Sequence, residues 1–430
     1  MKLIQLNIKK FRSIEKAEIY FDEINAIVGQ NNSGKSAIIR ALNCFFNYEK
    51  EEYNFIKGIH TYTNQSTAIL ELRFLAENLS SLMLDPYIID NNLYFQMKFK
   101  SGAKKRTLRI KNTNNTYETI DESFLTELKK NITFVYIPPN RSDNDIKWNE
   151  SALLTELIDE FINKETHRRD NITPQIKKTT TFFETGLLQK VTKSLKQIYS
   201  LNDSFDFKLS FDKTSSLLSF FSGLQLHIIE NDKTFDLLEC GTGIQSLTII
   251  ALHRLLAKLR HTNIILGLEE PETNLHPQAQ RELISSIKKY TSDSELSQII
   301  LTTHSTVFVD NIEHHKITLV RKTNDSIRGF KSTVSTLPQD FFTKYNIEEF
   351  KYYQYHGYRN SDFFYAKRVI LVESKNDAEV IKSLARRESV DLDLEGISLI
   401  NIDGVKNLNY AFHLIKELEI PYTPNNSILN

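Results

Sequence analysis

The order of apolar and polar positions divides the chain into strand-like and helix-like stretches. Residues 2–8 alternate, with Leu3, Gln5 and Asn7 set against Ile4, Leu6 and Ile8, which is the period of a half-buried strand. A second apolar run at 24–28 enters the loop GQNNSGKS, and a helix is predicted over 36–46. Strand-like segments recur at 67–74 (TAILELRF), 92–99 (NLYFQMKF), 106–111, 132–138, 205–211 (FDFKLSF) and 224–230 (LQLHIIE). Residues 150–200 are charged and helical in pattern, with a Thr-rich break at 179–181, and read as an inserted helical arm. The stretch 239–304 is the most regular: GTGIQS, a helix at 244–260, the strand NIILGLEE, a helix around 275–290 and the strand QIILTTHS. Strands alternating with helices predict a parallel sheet covered on both faces. Residues 340–362 are aromatic and charged and read as a link to a last unit of strand 368–372, helix 376–386, strand 397–402 and helix 407–417. No repeat of fixed period interrupts this α/β order.

Composition narrows the class. A chain of 430 residues suggests two or three domains and buries a large core. Lys+Arg and Asp+Glu are both 54, so the whole chain carries no net sign of a nucleic-acid partner, although a local basic face stays open. Two cysteines, Cys44 and Cys240, form no disulfide framework and fit a reduced, cytosolic setting. The start MKLIQLNIKKFRS lacks an apolar run of signal length, and no stretch of about 18 apolar residues occurs. The expectation is a cytoplasmic protein with no membrane partner.

GQNNSGKS, Gly29 to Ser36, has the pattern G-x-x-x-x-G-K-[ST]. Gly29 and Gly34 let the loop, with Asn32 between them, turn its backbone N–H groups toward phosphate oxygens. Lys35 brings positive charge to the β and γ phosphates, and Ser36 a hydroxyl to Mg²⁺. The helix that starts there points its positive end at the anion. The partner element is IILGLEEPETNLHP, whose apolar strand delivers Glu269 and Glu270 at its C-terminal end, where α/β sheets place ligands. Alone, two acids there would only cap a strand. Beside a phosphate loop, the first reads as a Mg²⁺ carboxylate and the second as the group that orients or deprotonates water. His304 ends the next strand and reads as a γ-phosphate contact, with a structural histidine as the alternative. GTGIQS, taken on its residues alone, is a plain N-cap turn with Thr242 as the cap.

Together these pieces resemble the ABC-type ATPases of DNA repair and anti-phage defence, with RecF-like and structural-maintenance-of-chromosomes-like heads. More narrowly, they resemble the overcoming-lysogenization-defect (OLD) family. The resemblance is carried by IKKFRSI, GQNNSGKS, GTGIQS, LEEPETNLHP, LTTHS and FFYAKRVILVES, in order along the chain. It implies an ABC-type P-loop head, a mixed sheet flanked by helices, with a helical insertion and then a partial Toprim α/β domain. It implies ATP sandwiched between two heads, so that Gly243 and Gln245 touch the nucleotide bound by a second copy. Glu270 would be the catalytic carboxylate, His304 the γ-phosphate sensor, and Arg12 a residue near the nucleotide; a solvated Arg in a surface turn is the alternative. Glu269 stands where most such ATPases have Asp. Glu239 and Cys240 stand where the signature has Leu-Ser. No glutamine loop is evident, and Arg141 in FVYIPPNR is the candidate to replace it.

The same resemblance gives the last unit a meaning. In VILVES the strand ends on Glu373, matching the invariant Toprim acid, with Asp377 as the later one and Ser374 in place of the usual Gly. Carboxylates at strand ends bind Mg²⁺, or Mn²⁺, because hard cations take oxygen ligands. The Asp-x-Asp pair expected on a later strand is missing: Asp391-Leu-Asp393 reads as a polar turn, Asp403 ends the second strand, and EIPY reads as the lead-in to a third. A missing third strand would leave an apolar edge exposed. The expectation is therefore a fragment of a longer nuclease, ahead of natural truncation or a partner that completes the site. The predicted domains are 1–149 and 204–340 for the ATPase, 150–203 for the arm, 341–365 for a linker and 366–430 for the partial Toprim domain. The expected function is ATP-regulated DNA cleavage in anti-phage defence, by a homodimer or higher even oligomer with DNA and a defence-system protein as candidate partners. The alternative is a nuclease-inactive, ATP-dependent sensor or scaffold holding a separate effector. Basic runs at Lys104-Lys105-Arg106, His167-Arg168-Arg169 and Lys177-Lys178 have the composition of phosphate contacts, but such runs are usually solvated faces.

Overall fold

A computed structural model describes residues 1–77, 79, 81–101, 103, 105–139, 153–154, 157–158, 160–161, 183–198, 205–211, 224–260, 262–292, 298–356 and 361–424. Most of the expected arm, including the basic runs at 167–169 and 177–178, together with Lys104 and Arg141, lies outside these residues. In chain order the strands are β1 (Lys2–Phe11), β2 (Ile14–Tyr20), β3 (Ile24–Val28), β4 (Thr67–Leu75), β5 (Asn92–Lys100), β6 (Thr107–Lys111), β7 (Tyr117–Ile120), β8 (Ile132–Ile137), β9 (Phe205–Phe211), β10 (Leu224–Glu230), β11 (Lys233–Asp236), β12 (Asn263–Glu269), β13 (Gln298–Thr303), β14 (Ile317–Asp325), β15 (Gly329–Thr336), β16 (Arg368–Val372), β17 (Ile397–Asn401) and β18 (Tyr422–Pro424). The helices are α1 (Lys35–Phe46), α2 (Tyr48–Ile56), α3 (Glu122–Asn131), α4 (Gln189–Ile198), α5 (Thr242–Arg260), α6 (Pro277–Ser292), α7 (Thr306–Asp310), α8 (Phe341–Lys344), α9 (Glu349–His356), α10 (Lys375–Arg387) and α11 (Leu408–Glu417). They form two compact units, one made of Met1–Lys2, Asn78–Leu84 and Ser123–Ile299, the other of Leu3–Glu77, Asp85–Glu122 and Ile300–Asn430.

In the larger unit the strands run in the order β7-β6-β5-β4-β1-β2-β15-β14-β3-β13. The sheet is mixed rather than parallel throughout. Hairpins β1–β2 and β14–β15 and the β4-to-β7 meander are antiparallel, whereas β3 pairs parallel with β14. The alternation that predicts β4 is visible in its burial, with Ala68, Leu70, Leu72 and Phe74 inward. β3 is buried on both faces, as a central parallel strand should be. Helix α1 supplies Ile38, Ile39, Leu42, Phe45 and Phe46 to this core. Phe46 meets Phe74 edge-on at 6.1 Å, and Phe74 meets Phe95 at 6.1 Å. Each such ring contributes roughly 1.5–3 kcal/mol through burial.

Under α1 lies a charge hub that the pattern of YEKEEYNF, with its three acids, does not reveal. The Glu51 carboxylate, about 1% exposed, accepts from Arg40 at 2.7 Å, Asn43 at 2.6 Å, Asn54 at 3.0 Å and His60 Nε2 at 2.9 Å. Burial pushes its pKa up, but the His60, Arg40 and Asn43 hydrogen bonds and the Arg40 charge outweigh it and bring it to about 2. Burial lowers the His60 pKa, so a neutral imidazole donates to an ionised Glu51. Cys44 joins Glu51 and His60 closely enough to hold a metal. Burial keeps its thiol protonated, however, and Arg40 already neutralises Glu51, so the trio is a structural hub.

In the smaller unit β8 and β12 pair in parallel from Ile132↔Asn263 to Ile137↔Leu268. A separate antiparallel sheet has the order β11-β10-β9.

The C-terminal residues of the larger unit form a parallel sheet with the order β17-β16-β18. A third strand, foreseen only as a lead-in, is thus present beside β16. The stretch read as a linker is packed structure: Phe341, Tyr352, Tyr355, Phe363 and Phe364 of α8, α9 and the 3₁₀ turn at Ser361–Tyr365 are buried. Tyr352, Tyr355 and His356 share the i, i+3, i+4 face that carries this packing.

Candidate nucleotide site and acidic strand ends

The loop after β3 has the backbone that its motif requires. Gly29 has φ 144°, and a Cβ there would collide with the Val320 carbonyl. Gly34 has φ 106°, and a Cβ there would strike Ser332 Oγ and come within 2.8 Å of Ser13 Oγ. Asn32 between them sits at φ 59°, a left-handed position that Asn tolerates. Lys35 is buried, and its Nζ donates to the carbonyls of Gly29 at 3.0 Å and Gln30 at 2.9 Å. Ser36 lies in the first turn of α1, where N–H groups without helical partners collect. The loop, the lysine and the helix start together offer the N–H groups and positive charge of the kind that anion sites use.

Neighbouring strands pin this loop. Ser332 Oγ lies 2.7 Å from Ser13 Oγ and also touches the Ser33 carbonyl. Ser13 follows Arg12, which turns between β1 and β2 with φ 49°. The Arg12 N–H donates to the His60 carbonyl at 3.4 Å, and its own carbonyl accepts from Arg328. The structure therefore brings the Arg12 turn to the phosphate loop. Strands β14 and β15, which supply Val320, Ser332 and Arg321, had no place in the sequence reading. Their alternation (FKSTVS) was the available signal.

β13 is buried over its whole length and ends before His304. Ser305 caps α7 by accepting from the Phe308 N–H at 3.4 Å. The His304 ring stacks on Tyr365 with centroids 6.3 Å apart, and Gln30 Nε2 donates to the Tyr365 carbonyl at 2.7 Å. Neither Gln30 nor Tyr365 is marked by the motif.

In the smaller unit β12 delivers Glu269, 5% exposed, and then Glu270 in a left-handed conformation, φ 44°. A non-glycine residue held there stores on the order of 1–3 kcal/mol, which is typical of functional turns. Thr273 fixes the turn by donating both its N–H (3.1 Å) and its hydroxyl (2.8 Å) to the Glu270 carbonyl. Glu272 is also buried, which the sequence reading passed over. Gly243 opens α5, and a Cβ there would meet Leu275 Cδ2 at 2.7 Å, so the Leu275 side chain packs closely over it. Gln245 is buried and folds back to donate to the Cys240 carbonyl at 3.0 Å. Contact with a second copy through that side chain requires it to rotate outward.

At the end of β16 Glu373 is exposed, and its carbonyl accepts from the Gly404 N–H at 3.0 Å. This places the turn of Asp403, φ 55°, next to it, so a carboxylate follows the end of each of the adjacent parallel strands β16 and β17, Glu373 directly and Asp403 two residues on. Asp377 has a structural task. Its Oδ2 accepts from the Ser374 N–H at 2.9 Å and hydroxyl at 2.8 Å, in a reciprocal capping box that starts α10. Asp391 caps its own turn through the N–H groups of Asp393 and Leu394, as a polar turn should. Arg106, from the first basic run, is no phosphate contact. Its side chain, 3% exposed, donates to the Cys44 and Phe45 carbonyls at the end of α1 and forks to Glu122.

Residues 24–310 match the family described as "AAA domain, putative AbiEii toxin, Type IV TA system". Residues 364–423 match the "Overcoming lysogenization defect protein-like, TOPRIM domain". The OLD nuclease of Thermus scotoductus is 23% identical over 98% of this chain and 80% of its own length. Endonuclease GajA of Bacillus cereus is 21% identical over 96% of this chain and 72% of its own. A crystal structure of an Smc head bound to the C-winged helix domain of ScpA superposes with a TM-score of 0.51 at 17% identity. It covers 79% of this chain and 99% of the Smc chain, and supports the ABC-type head fold. No helix among the described residues is long and apolar enough to cross a membrane. A glycine-pinned phosphate loop and a β16 that ends on Glu373 coincide with the two matched segments: the chain belongs to the AAA-domain family and carries an ATPase domain followed by an OLD-like TOPRIM domain.

Proposed function

We propose that this protein is an ATP-regulated DNA endonuclease of the OLD type, acting in anti-phage defence as a cytoplasmic homodimer or higher even oligomer. The observation that carries the reading is that one compact unit holds both a sterically pinned phosphate loop and a parallel sheet ending on Glu373. The loop N–H groups and Lys35 bind the ATP phosphates, and Arg12 lies beside them. Ser36 and Glu269 each offer an oxygen of the type Mg²⁺ takes, and the ion would neutralise phosphate charge. Glu270 aligns and deprotonates the water for in-line attack, and His304 senses the γ-phosphate. Gly243 and Gln245 meet nucleotide held by a second copy. At the other site Glu373 provides a carboxylate suited to Mg²⁺ or Mn²⁺, which would polarise a DNA phosphodiester.

A second reading has one specific observation behind it. The Asp377 carboxylate is used to cap α10, which leaves Glu373 as the one expected Toprim acid with no such task. That favours a nuclease-inactive, ATP-dependent sensor or scaffold that holds an effector. Cleavage of supercoiled plasmid with Mg²⁺ or Mn²⁺, compared between wild type and Glu373→Ala, separates the two. Nicking that Glu373→Ala abolishes supports the endonuclease. ATP hydrolysis without nicking supports the sensor.

A further inference from the structure

The segment that leads into β16 is held by the residues that surround the phosphate loop. Gln30 donates its side-chain amide to the Tyr365 carbonyl at 2.7 Å, while its own carbonyl accepts from Lys35 Nζ at 2.9 Å. His304 stacks on the Tyr365 ring at 6.3 Å with planes 27° apart. One step on, Arg321 divides its guanidinium between the carbonyls of Ala366 at 2.9 Å and Lys367 at 2.8 Å. Its neighbour Val320 is the residue whose carbonyl packs against Gly29. Ser361 bonds Asp310, the last residue of the helix that follows His304. β16 then begins at Arg368, and at Val369, Ile370 and Leu371 it is paired on both sides, by β17 and β18. A strand clamped between two others moves as a body, so a shift at 365–367 reaches Glu373 at its far end.

We infer that Gln30 and Tyr365 relay the state of the phosphate loop to the TOPRIM sheet, with Gln30 a positioning residue for Glu373. The inference rests on the reading of 29–36 as a nucleotide site. A terminal phosphate is a charged acceptor and binds an ammonium more strongly than a peptide carbonyl does. Lys35 drawn to phosphate releases the Gln30 carbonyl, and the residue whose side chain holds Tyr365 is then free to reorient. A γ-phosphate that engages His304 pulls on the ring of the same Tyr365. Both phosphate-facing groups thus end on one residue, three positions before β16. The Lys35–Gln30 bond supplies the differential contact that any ligand-driven shift requires. A static bolt between loop and sheet would have the same bonds but no response to nucleotide.

The test is amide hydrogen exchange, read by mass spectrometry on the full chain with and without saturating ATP and Mg²⁺. Wild type is compared with Gln30→Ala, Tyr365→Leu and Arg321→Ala. In wild type, ATP protects 29–36 and alters exchange across 366–373. In Gln30→Ala, at ATP levels that still protect 29–36, the response at 366–373 shrinks by about fivefold in rate, the scale of one net hydrogen bond. Tyr365→Leu keeps the carbonyl and loses the ring, so it retains part of the response. Arg321→Ala loosens 366–373 equally with and without ATP. If Gln30→Ala behaves like Arg321→Ala, or responds as wild type does, the relay is refuted while the nucleotide site stands. The same holds if wild type shows protection at 29–36 but no change at 366–373. Absence of protection at 29–36 in wild type removes the nucleotide reading itself.

Discussion

Gly34 and Glu51 show how much rests on single side chains. At Gly34 a methyl group has no room between Ser332 and Ser13, and φ 106° strains any L-residue. Gly34→Ala is expected to destabilise by about 1–3 kcal/mol and to abolish nucleotide binding; urea unfolding and titration with a fluorescent ATP analogue check both. Glu51 sets an acid limit. Its folded pKa of about 2 lies below the ordinary 4.5, so its contribution is complete above pH 4.5 and is lost as pH falls toward 2. Integrated, that is about 3 kcal/mol. His60, whose pKa is lowered by burial, acts in the same direction: stability is present above its ordinary 6.5 and declines below it. Glu51→Gln should therefore flatten the acid limb of a stability-against-pH curve, and an unchanged limb would remove the hub from the account. The two residues also differ in legibility. Gly34 stands in a motif whose glycines, lysine and serine answer to phosphate geometry. Glu51 is one of three acids on a short charged helix, and only tertiary packing selects it for burial.

Among the elements, caps decide several questions that motifs leave open. The Ser374–Asp377 capping box spans three positions and the two acids read as metal ligands, Glu373 and Asp377, span four, so the same aspartate fits both readings and the sequence alone did not separate the roles. Asp377→Ala should cost about 1 kcal/mol with no metal present, seen as faster exchange in α10. A cost that appears only on metal addition would return Asp377 to the ligand set. Helix α1 has no basic residue in its last turn, and Arg106 reaches in from beside β6 to cover the Cys44 and Phe45 carbonyls. Arg106→Ala should cost about 2–3 kcal/mol in thermal or urea unfolding, because it strips those carbonyls and Glu122 of a charged donor together. Strands with clean alternation, β4, β9 and β10, were legible because half-burial writes itself at period two. Hairpin β14–β15 and helices α8 and α9 were not. The aromatic and charged residues of these two helices pack on one another, and a mixed composition of that kind reads as linker until the i, i+3, i+4 face is traced.

For the whole molecule, net charge is zero, so no overall field steers DNA toward it, and any steering must come from a local face. The two chemistries proposed for the chain are separable by mutation. Glu270 is the proposed hydrolytic carboxylate, held at φ 44° by its turn, and Lys35 is the proposed phosphate anchor. Removing the base should leave binding intact and trap whatever assembly ATP induces. Glu270→Gln should therefore bind ATP while hydrolysis falls by about 100-fold or more, the scale of a positioned general base. In sedimentation velocity with ATP and Mg²⁺ it should accumulate as an even assembly, while Lys35→Ala keeps the distribution it shows without nucleotide. Gln245 sharpens the expectation. Its side chain is folded onto Cys240, so assembly through it must break that bond, and Cys240, partly exposed with a raised thiol pKa, should change its rate of alkylation when ATP is added. Near-wild-type hydrolysis in Glu270→Gln would move the catalytic role to another carboxylate of this turn, with buried Glu272 the next to substitute.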